Sequence, residues 1–326
     1  MIQVRPSRIA AVAIIATFII ALTHCGSIAY GIINAPSYIG SYERHANLAF
    51  GDEPRQTLDV YVPSAREKGL RPVVIFWYGG MWLRGSKEQY RFVGAALANS
   101  GYVAILPDYR LYPRARFPVF IEDGALAVKW AREHAREFGG DPEAIFLMGH
   151  SAGAHTAALL ALDSRYLHKV GGDPSWLRGW IGLAGPYALE LRVPILEQMF
   201  RSPYVKTDWR VVDLVRGPSP PALILHGTDD YLVYPREAID LDTLLRAAGI
   251  RSECHIYDGA SHLDVVAAFS LPFRYEAPSL HDVSRFIDRT VAADGTIGSQ
   301  DPGTPCPALA PRKDHSVAGN VRVEPQ

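Results

Sequence analysis

The 326-residue sequence contains only three cysteines, carries no strong charge of either sign and shows no internal repeat. With a formal net charge of -1, the chain has no excess of positive charge that would attract a polyanion, so we expect no nucleic-acid partner. No Cys/His cluster with metal-ligand spacing and no phosphate-binding glycine loop is visible, so we expect neither a metal nor an organic cofactor. Cys25, Cys254 and Cys306 lie far apart in segments of different kinds, and we therefore expect no disulfide framework.

Long apolar runs are also missing, with one exception near the start of the chain. Arg5 and Arg8 precede an apolar run over 9–22, which is short for a membrane span but right for the core of a signal peptide. The pattern predicts a signal peptide or membrane anchor over 1–34, and hence an exported or membrane-anchored protein, periplasmic or in the cell envelope if bacterial. Cys25 stands where a lipoprotein would be cleaved, although His24 is larger than the usual preceding residue. Lipid attachment, an uncleaved anchor and ordinary cleavage all remain open.

The remainder of the chain divides into a long apolar-rich region and a polar tail. Residues 294–326 are rich in Gly, Pro and Ser without periodicity, which predicts a disordered tail. Residues 42–292 alternate between strand-like and helix-like segments, which predicts an α/β fold with a mostly parallel eight-stranded sheet and helices on both faces. The strands are expected near Asn47, Leu58, Ile75, Val103, Phe146, Ile181, Leu223 and His255, and the main helices over 90–98, 121–137, 151–162, 235–248 and 280–291.

One region, 186–215, interrupts this alternation with prolines, aromatic residues and charges. It could form a small cap over a cleft, or its apolar side chains could belong to the core. Both interpretations remain open for Tyr187, Ile195, Leu196, Met199, Phe200 and Trp209.

The motif G-H-S-A-G over 149–153 has the G-x-S-x-G form of a nucleophile elbow. An apolar segment, Ala144–Met148, precedes it and an Ala/Leu-rich segment, 154–162, follows it, so the motif lies between a strand and a helix. In such an elbow the two glycines allow a strained turn and a close approach of neighbouring backbone. Ser151 is therefore the candidate nucleophile, and it needs a histidine base and an acid from elsewhere in the chain.

Both partners are found after strand-like segments in the expected order of serine, acid and histidine. Pro221–Leu225 leads into the polar turn H-G-T-D-D over 226–230, which offers Asp230 or Asp229 as the acid. Glu253–Tyr257 leads to His262, which a short helix-like stretch over 263–269 follows. His226 is a competing histidine, but it precedes the acid and is better explained as shaping the turn.

A third segment provides a candidate oxyanion hole. The apolar segment Val73–Trp77 runs into Y-G-G-M-W over 78–82, and a glycine turn at a strand end can direct backbone N–H groups at a developing negative charge. An ordinary Gly-Gly turn is the alternative.

Together with D-Y-R-L-Y-P over 108–113, these motifs resemble the α/β-hydrolase esterases of the hormone-sensitive-lipase type. Within that group the chain looks closest to the branch of kynurenine formamidase, feruloyl-esterase-like proteins and isoprenylcysteine methylesterase, over about 42–292. The family turn usually reads His-Gly-Gly-Gly-Trp, so Tyr78 and Met81 depart from it, and Met81 should narrow the acyl pocket.

The resemblance implies a serine carboxylic-ester hydrolase that acts on a small-molecule ester without a cofactor. It assigns Ser151, His262 and Asp230 as the triad, with Asp229 as the weaker acid, and the amides of Gly80, Met81 and Ala152 as oxyanion donors. It also makes Asp108 and Arg110 a structural ion pair behind the oxyanion turn. An arylformamidase or other amidase uses the same residues, and a catalytically silent, membrane-tethered binding protein is the alternative from another class. The sequence does not indicate an oligomeric state.

Overall fold

A computed structural model describes residues 29–65, 69–293 and 303–307. Its eight strands coincide with the eight predicted positions. They are β1 (Tyr42–Ala49), β2 (Thr57–Pro63), β3 (Arg71–Trp77), β4 (Val103–Pro107), β5 (Gly140–His150), β6 (Leu177–Leu183), β7 (Ala222–Gly227) and β8 (Ser252–Tyr257).

All eight strands form one sheet in the order β1-β2-β4-β3-β5-β6-β7-β8. β2 pairs antiparallel with both β1 and β4, and every other neighbouring pair is parallel. The prediction of a mostly parallel eight-stranded sheet is therefore confirmed. Because β3, β5, β7 and β8 are parallel, the loops that follow them all lie at one edge of the sheet, where ligands bind in open α/β sheets. We call this the carboxyl edge.

The helices pack on both faces of the sheet. They are α1 (described over 29–34), α2 (Arg91–Asn99), α3 (Val119–His134), α4 (Ala152–Leu162), α5 (Ser164–Lys169), α6 (Pro194–Met199), α7 (Lys206–Trp209), α8 (Arg236–Ala247), α9 (Asp264–Ala267) and α10 (Ser279–Ala292). The five main predicted helices correspond to α2, α3, α4, α8 and α10, whereas the stretch predicted over 263–269 forms only the single turn α9. Among the described residues, none of the helices combines the length and the apolar composition that a bilayer span needs.

The helix that follows the candidate nucleophile is buried along almost its whole length. Every residue of 152–161 is buried, which explains why small and aliphatic side chains fill α4. α4 packs against α3 and against β5 and β6, and it therefore holds its first turn rigidly at the carboxyl edge.

Two cysteines that we predicted to be unpaired form a disulfide bond, so that prediction is wrong. Cys254 of β8 is bonded to Cys306, 52 residues further along the chain, and their Cα atoms are 4.6 Å apart. The backbone N–H of Cys254 donates to the carbonyl of Thr304 at 2.8 Å, and that of Cys306 to Asp242 at 2.9 Å. Because β8 is an edge strand, its unpaired backbone groups are free to bind this segment.

The disulfide also corrects the prediction of a disordered tail. Residues 303–307 are attached to β8 and α8, so the prediction is wrong for them. The other residues of 294–326 lie outside the described residues, as does Cys25.

The predicted N-terminal unit likewise extends too far into the chain. Asn34 is buried, its side-chain amide donates to the carbonyls of Tyr30 and Gln89, and its side-chain oxygen accepts the backbone N–H of Phe92, each at 2.9 Å. Asn34 thus satisfies an N–H group in the first turn of α2, which has no partner within that helix. Residues 29–34 belong to the folded domain, and residues 1–28 lie outside the described residues.

Candidate active site

Ser151 occupies the sharp turn between β5 and α4. Its φ of 54° and ψ of -118° place a non-glycine residue in a sparsely populated backbone region, as is typical of functional sites. A Cβ atom on Gly149 would lie 2.1 Å from the carbonyl oxygen of Gly153, and one on Gly153 would lie 2.0 Å from that of Trp77. The prediction that close backbone approach requires both glycines is confirmed. The backbone N–H of Ser151 donates to the Leu183 carbonyl at 2.8 Å.

Asp230 and His262 follow the neighbouring strands β7 and β8 and meet at the carboxyl edge. Nδ1 of His262 lies 2.7 Å from Oδ2 of Asp230, and both side chains are buried. Asp229, the alternative acid, is exposed, and its carboxylate accepts a hydrogen bond from the Thr228 hydroxyl at 3.3 Å. The structure thus brings Asp230, and not Asp229, into contact with the imidazole of His262.

The Asp230 carboxylate is held by four hydrogen-bond donors. Oδ1 accepts the backbone N–H groups of Leu232 and Val233 at 2.9 and 2.8 Å, and Oδ2 accepts from His262 and from Nε2 of His226 at 3.0 Å. Burial alone would raise the pKa of Asp230, but the hydrogen bonds from His226 and His262 hold it well below its ordinary range. An ionised Asp230 fixes the proton of His262 on Nδ1, and Nε2 is left as a proton acceptor.

His226 does more than the sequence analysis assigned to it. Its Nε2 also lies 2.8 Å from the Val233 carbonyl, so the ring closes the 227–233 turn as predicted. The same nitrogen donates to Asp230, which ties the turn to the carboxylate.

His150 is a site residue that the sequence analysis did not single out. Its Nε2 lies 3.0 Å from the backbone carbonyl oxygen of His262, and the two imidazole rings are 4.9 Å apart between centroids. Since a carbonyl can only accept, Nε2 of His150 carries the proton. Burial, with the neighbouring His262, lowers the pKa of His150 to about 3, so its ring is neutral at physiological pH. His150 therefore attaches the elbow to the loop of His262.

The turn after β3 lies directly against the elbow. A Cβ atom on Gly79 would be 3.0 Å from Cβ of Ser151. The next three residues, Gly80, Met81 and Trp82, have φ values of 120°, 56° and 56°, so the turn is left-handed throughout.

The three predicted oxyanion donors belong to these two adjoining segments. Gly80 and Met81 lie in the left-handed turn, which closes through hydrogen bonds from the N–H groups of Leu83 and Arg84 to the Gly80 carbonyl at 3.0 and 3.3 Å. Ala152 is the first residue of α4, where backbone N–H groups have no partner within the helix. Ala152 directly follows Ser151, and Gly80 and Met81 directly follow Gly79, which adjoins Ser151.

Tyr78, which replaces the usual family histidine, is held in a buried polar cluster. Its hydroxyl donates to Oδ1 of Asp108 at 2.9 Å and accepts from Nη2 of Arg55 at 2.7 Å. Arg55 also donates to the carbonyls of Gly85 at 2.9 Å and Tyr109 at 2.8 Å. Burial raises the pKa of Tyr78 far above its ordinary value, so the phenol remains protonated. The cluster therefore fastens both ends of the 78–85 segment.

The expected ion pair between Asp108 and Arg110 is wrong. Asp108 faces Arg55, whose Nη2 lies 3.3 Å from Oδ1, whereas Arg110 pairs with Asp123 at 2.6 Å. Asp108 braces the oxyanion turn as expected, but through Tyr78 and Arg55.

The arrangement is suited to acyl transfer. A hydroxyl on a strained turn, a buried His–Asp pair and a backbone turn against the hydroxyl are the parts of a covalent acid–base mechanism. Among the described residues, the structure contains no group of three or more His, Cys, Asp or Glu side chains that could hold a metal ion.

Comparison with known proteins gives the same fold. Residues 58–171 match the family model described as BD-FAE. The solved structure of esterase B from Lactobacillus rhamnosis superposes with a TM-score of 0.68 at 19% identity, covering 84% of this chain and 98% of that chain. Thermogutta terrifontis esterase 2 gives a TM-score of 0.63 at 23% identity, covering 80% of this chain and 97% of that chain. The chain has the α/β-hydrolase fold.

Curated relatives of this chain include plant and mycobacterial proteins. Isoprenylcysteine alpha-carbonyl methylesterase ICME of Arabidopsis thaliana is 32% identical over 253 residues, which are 71% of this chain and 59% of the plant protein. Esterase LipC of Mycobacterium tuberculosis is 33% identical over 271 residues, which are 76% of this chain and 66% of LipC. The chain spans about three fifths of the length of the plant relatives.

Met81 stands where the turn of the resembled esterases usually has its third glycine. Its side chain is 43% exposed, whereas that of the following Trp82 is buried and stacks on Phe120 with ring centroids 5.3 Å apart. Met81 is therefore free to contact a substrate, and Trp82 anchors the turn in the core.

The region 186–215 contributes mainly to the core of the α/β-hydrolase domain. Five of the six apolar side chains that we had placed either in a cap or in the core are buried, and only Ile195 is exposed. Phe200 packs against Trp82 and Phe117, with ring centroids 5.2 Å apart in both pairs. The described contacts favour the core interpretation.

Proposed function

We propose that the protein is a serine carboxylic-ester hydrolase that acts through an acyl-enzyme. The observation that carries this proposal is the 2.7 Å contact between His262 and Asp230, beside an elbow whose strained Ser151 adjoins the Gly79 turn. The names of the curated relatives, two of which are a methylesterase and an esterase, support the same reaction class.

In this mechanism Oγ of Ser151 attacks the acyl carbon while Nε2 of His262 accepts its proton. Asp230 stabilises the imidazolium, and the same proton passes to the departing alcohol as the acyl-enzyme forms. The N–H groups of Gly80, Met81 and Ala152 stabilise the oxyanion, at about 3 kcal/mol per donor. Water then attacks the acyl-enzyme, with His262 as the base, and releases the acid.

We propose a small-molecule ester as the substrate, with its acyl side toward Met81. An arylformamidase would use the same groups on an N-acyl bond. A panel of p-nitrophenyl esters of graded chain length, an isoprenylcysteine methyl ester and N-formylkynurenine separates these substrate classes. Faster turnover of N-formylkynurenine than of every ester would favour the amidase alternative.

We also propose that the protein is exported and held at a membrane by its N-terminal segment. The disulfide between Cys254 and Cys306 supports export, because such bonds form and persist in oxidising compartments. Cell fractionation tests the localisation. Cys25→Ser separates the modes of attachment: it releases a lipid-anchored protein but not one held by an uncleaved apolar segment.

Labelling with a fluorophosphonate tests the nucleophile directly. The wild-type chain should be labelled at Ser151, and Ser151→Ala should be neither labelled nor active, with a loss of about 10⁶-fold in kcat. A folded wild-type protein that neither reacts with the probe nor hydrolyses the panel would favour the silent binding protein.

A further inference from the structure

The N-terminal part of the described chain begins at the carboxyl edge, close to the candidate site. The hydroxyl of Ser270, eight residues after His262, donates to the Ile33 carbonyl at 2.6 Å, and Asn34 caps the first turn of α2. From Asn34 the chain follows α2 to its other end, where a Cβ atom on Gly40 would lie 3.4 Å from the Asn99 amide nitrogen. The first described helix, α1, is therefore attached at the edge that carries the site.

Large apolar side chains are exposed around this edge. Some of them lie close to Asp230 or after His262 in the chain, and one lies in α1. Between 55% and 80% of each side chain is exposed. This apolar rim consists of Ile32, Leu232, Leu263, Leu271 and Tyr275. Exposed apolar residues that gather at one functional edge indicate an interaction surface, whereas single exposed residues are ordinary.

The apolar run over 9–22 is tethered close to this rim. Residues 23–29 connect it to Tyr30, and seven residues span at most about 25 Å when fully extended. A lipid on Cys25 would be tethered still more closely. Any membrane attachment of this segment therefore keeps the carboxyl edge near the bilayer.

From these two observations we propose that the apolar rim rests on a lipid bilayer and that the ester enters the site from the lipid phase. The proposal rests on the proposed esterase function and on N-terminal attachment. Leu263 and Leu271 enter the interface between the lipid headgroups and acyl chains, where Tyr275 is also favoured. Leu263 directly follows His262, and Leu232 lies two residues after Asp230. An ester that diffuses in the membrane therefore reaches the candidate site without crossing water.

A bilayer fits this surface better than a second copy of the chain does. Leu263 directly follows His262 and Leu232 lies two residues after Asp230, so a dimer formed through the rim would cover both sites. A bilayer instead brings an apolar substrate to the rim, and the tether holds the domain in that orientation.

Hydrogen–deuterium exchange of the full chain, with and without phosphatidylcholine/phosphatidylglycerol vesicles, tests the orientation without using activity. We expect protection of 231–234 and 263–276 in vesicles, and none around Leu70, which precedes β3 at the opposite edge. Exchange that is unchanged at the rim, or protection of the same residues in a vesicle-free dimer, would overturn the proposal. Since Ser151→Ala can be used in this experiment, its outcome is independent of the proposed chemistry.

A comparison of two esters tests the route of the substrate. Leu271→Ser/Tyr275→Ser should hydrolyse water-soluble p-nitrophenyl butyrate within twofold of the wild-type rate, but a vesicle-borne long-chain ester at least tenfold more slowly. Leu70→Ser/Leu244→Ser, whose side chains are 42% and 40% exposed away from the site, is the matched control and should match the wild type on both esters. Equal losses on both esters, or none on either, would refute the role of the rim. If the wild type cleaves neither ester and resists fluorophosphonate, the proposed function fails, and the exchange experiment still decides the orientation.

Discussion

Replacing Asp230 by Asn should nearly abolish turnover while the fold is retained, because the structure dictates how an amide would sit there. Oδ1 accepts two fixed backbone N–H groups, from Leu232 and Val233, so the amide oxygen of an asparagine must take that position. Its NH₂ group then occupies the position of Oδ2 and faces Nδ1 of His262. Two donors cannot pair, so the imidazole has to move its proton to Nε2.

The loss in rate follows from that change of tautomer. With the proton on Nε2, His262 cannot accept the proton of Ser151, and the imidazolium also loses its carboxylate partner. In a comparable triad the same substitution reduces kcat by about 10⁴-fold, which corresponds to about 5.5 kcal/mol in the activation free energy. His226 increases the effect, since its Nε2 also donates to Oδ2 and would face the same NH₂ group.

The measurement is kcat for p-nitrophenyl butyrate, with circular dichroism to verify the fold. Asp229→Asn is the matched control, because Asp229 is exposed and bonded to Thr228, and it should remain within about threefold of the wild type. Retention of a tenth of the wild-type kcat by Asp230→Asn, or a larger loss in Asp229→Asn, would refute this assignment of the acid.

Three further changes have outcomes that the structure predicts. Met81→Gly should shift the preference toward larger acyl groups, because it removes an exposed side chain at the mouth and keeps the backbone donor; an unchanged ratio of kcat/KM across the ester series would show that Met81 does not contact the acyl chain. The double variant Cys254→Ser/Cys306→Ser should reduce the free energy of unfolding in urea by up to about 4 kcal/mol, because the disulfide closes a loop of 52 residues in the unfolded chain and so lowers its entropy. An unchanged urea midpoint would mean that the bond does not constrain the unfolded chain. A chain that starts at residue 35 should unfold at a lower temperature than one that starts at residue 29, because loss of the Asn34 cap costs about 1 kcal/mol, and equal melting temperatures would contradict that role.

The sequence predicted most accurately those features that depend on local pattern. Strand positions were correct because β3 and β7 are short, buried and apolar, and because β5 contains a buried apolar run that ends at the elbow. The elbow was recognisable because its glycines are imposed by backbone packing within a few residues, between Gly149 and Gly153. Ser151, Asp230 and His262 could be nominated because each lies in the turn or loop that follows a parallel strand of the same sheet.

Features that depend on distant contacts could not be read in this way. Arg55 precedes β2, and no local pattern indicates that its guanidinium reaches Asp108, 53 residues later; the nearby Arg110 was the obvious but wrong partner. Cys306 lies in a segment of tail-like composition, and its bond to Cys254 follows only from the position of β8 at the sheet edge. His150 occupies a variable position of the G-x-S-x-G motif. Nothing in the sequence therefore indicated that its side chain bonds to the backbone of His262.

The strain in the site explains why so much of the surrounding core is aromatic and polar. Ser151, Met81 and Trp82 all have positive φ, and each such residue costs on the order of 1–3 kcal/mol unless its surroundings determine the conformation. Two sets of contacts fix the backbone conformation of the oxyanion turn. The indole of Trp82 is stacked in the core, and the Arg55 cluster fastens the start and end of the turn. Tyr78 can therefore replace the family histidine, because the turn needs a buried anchor that reaches Asp108, and a phenol provides one.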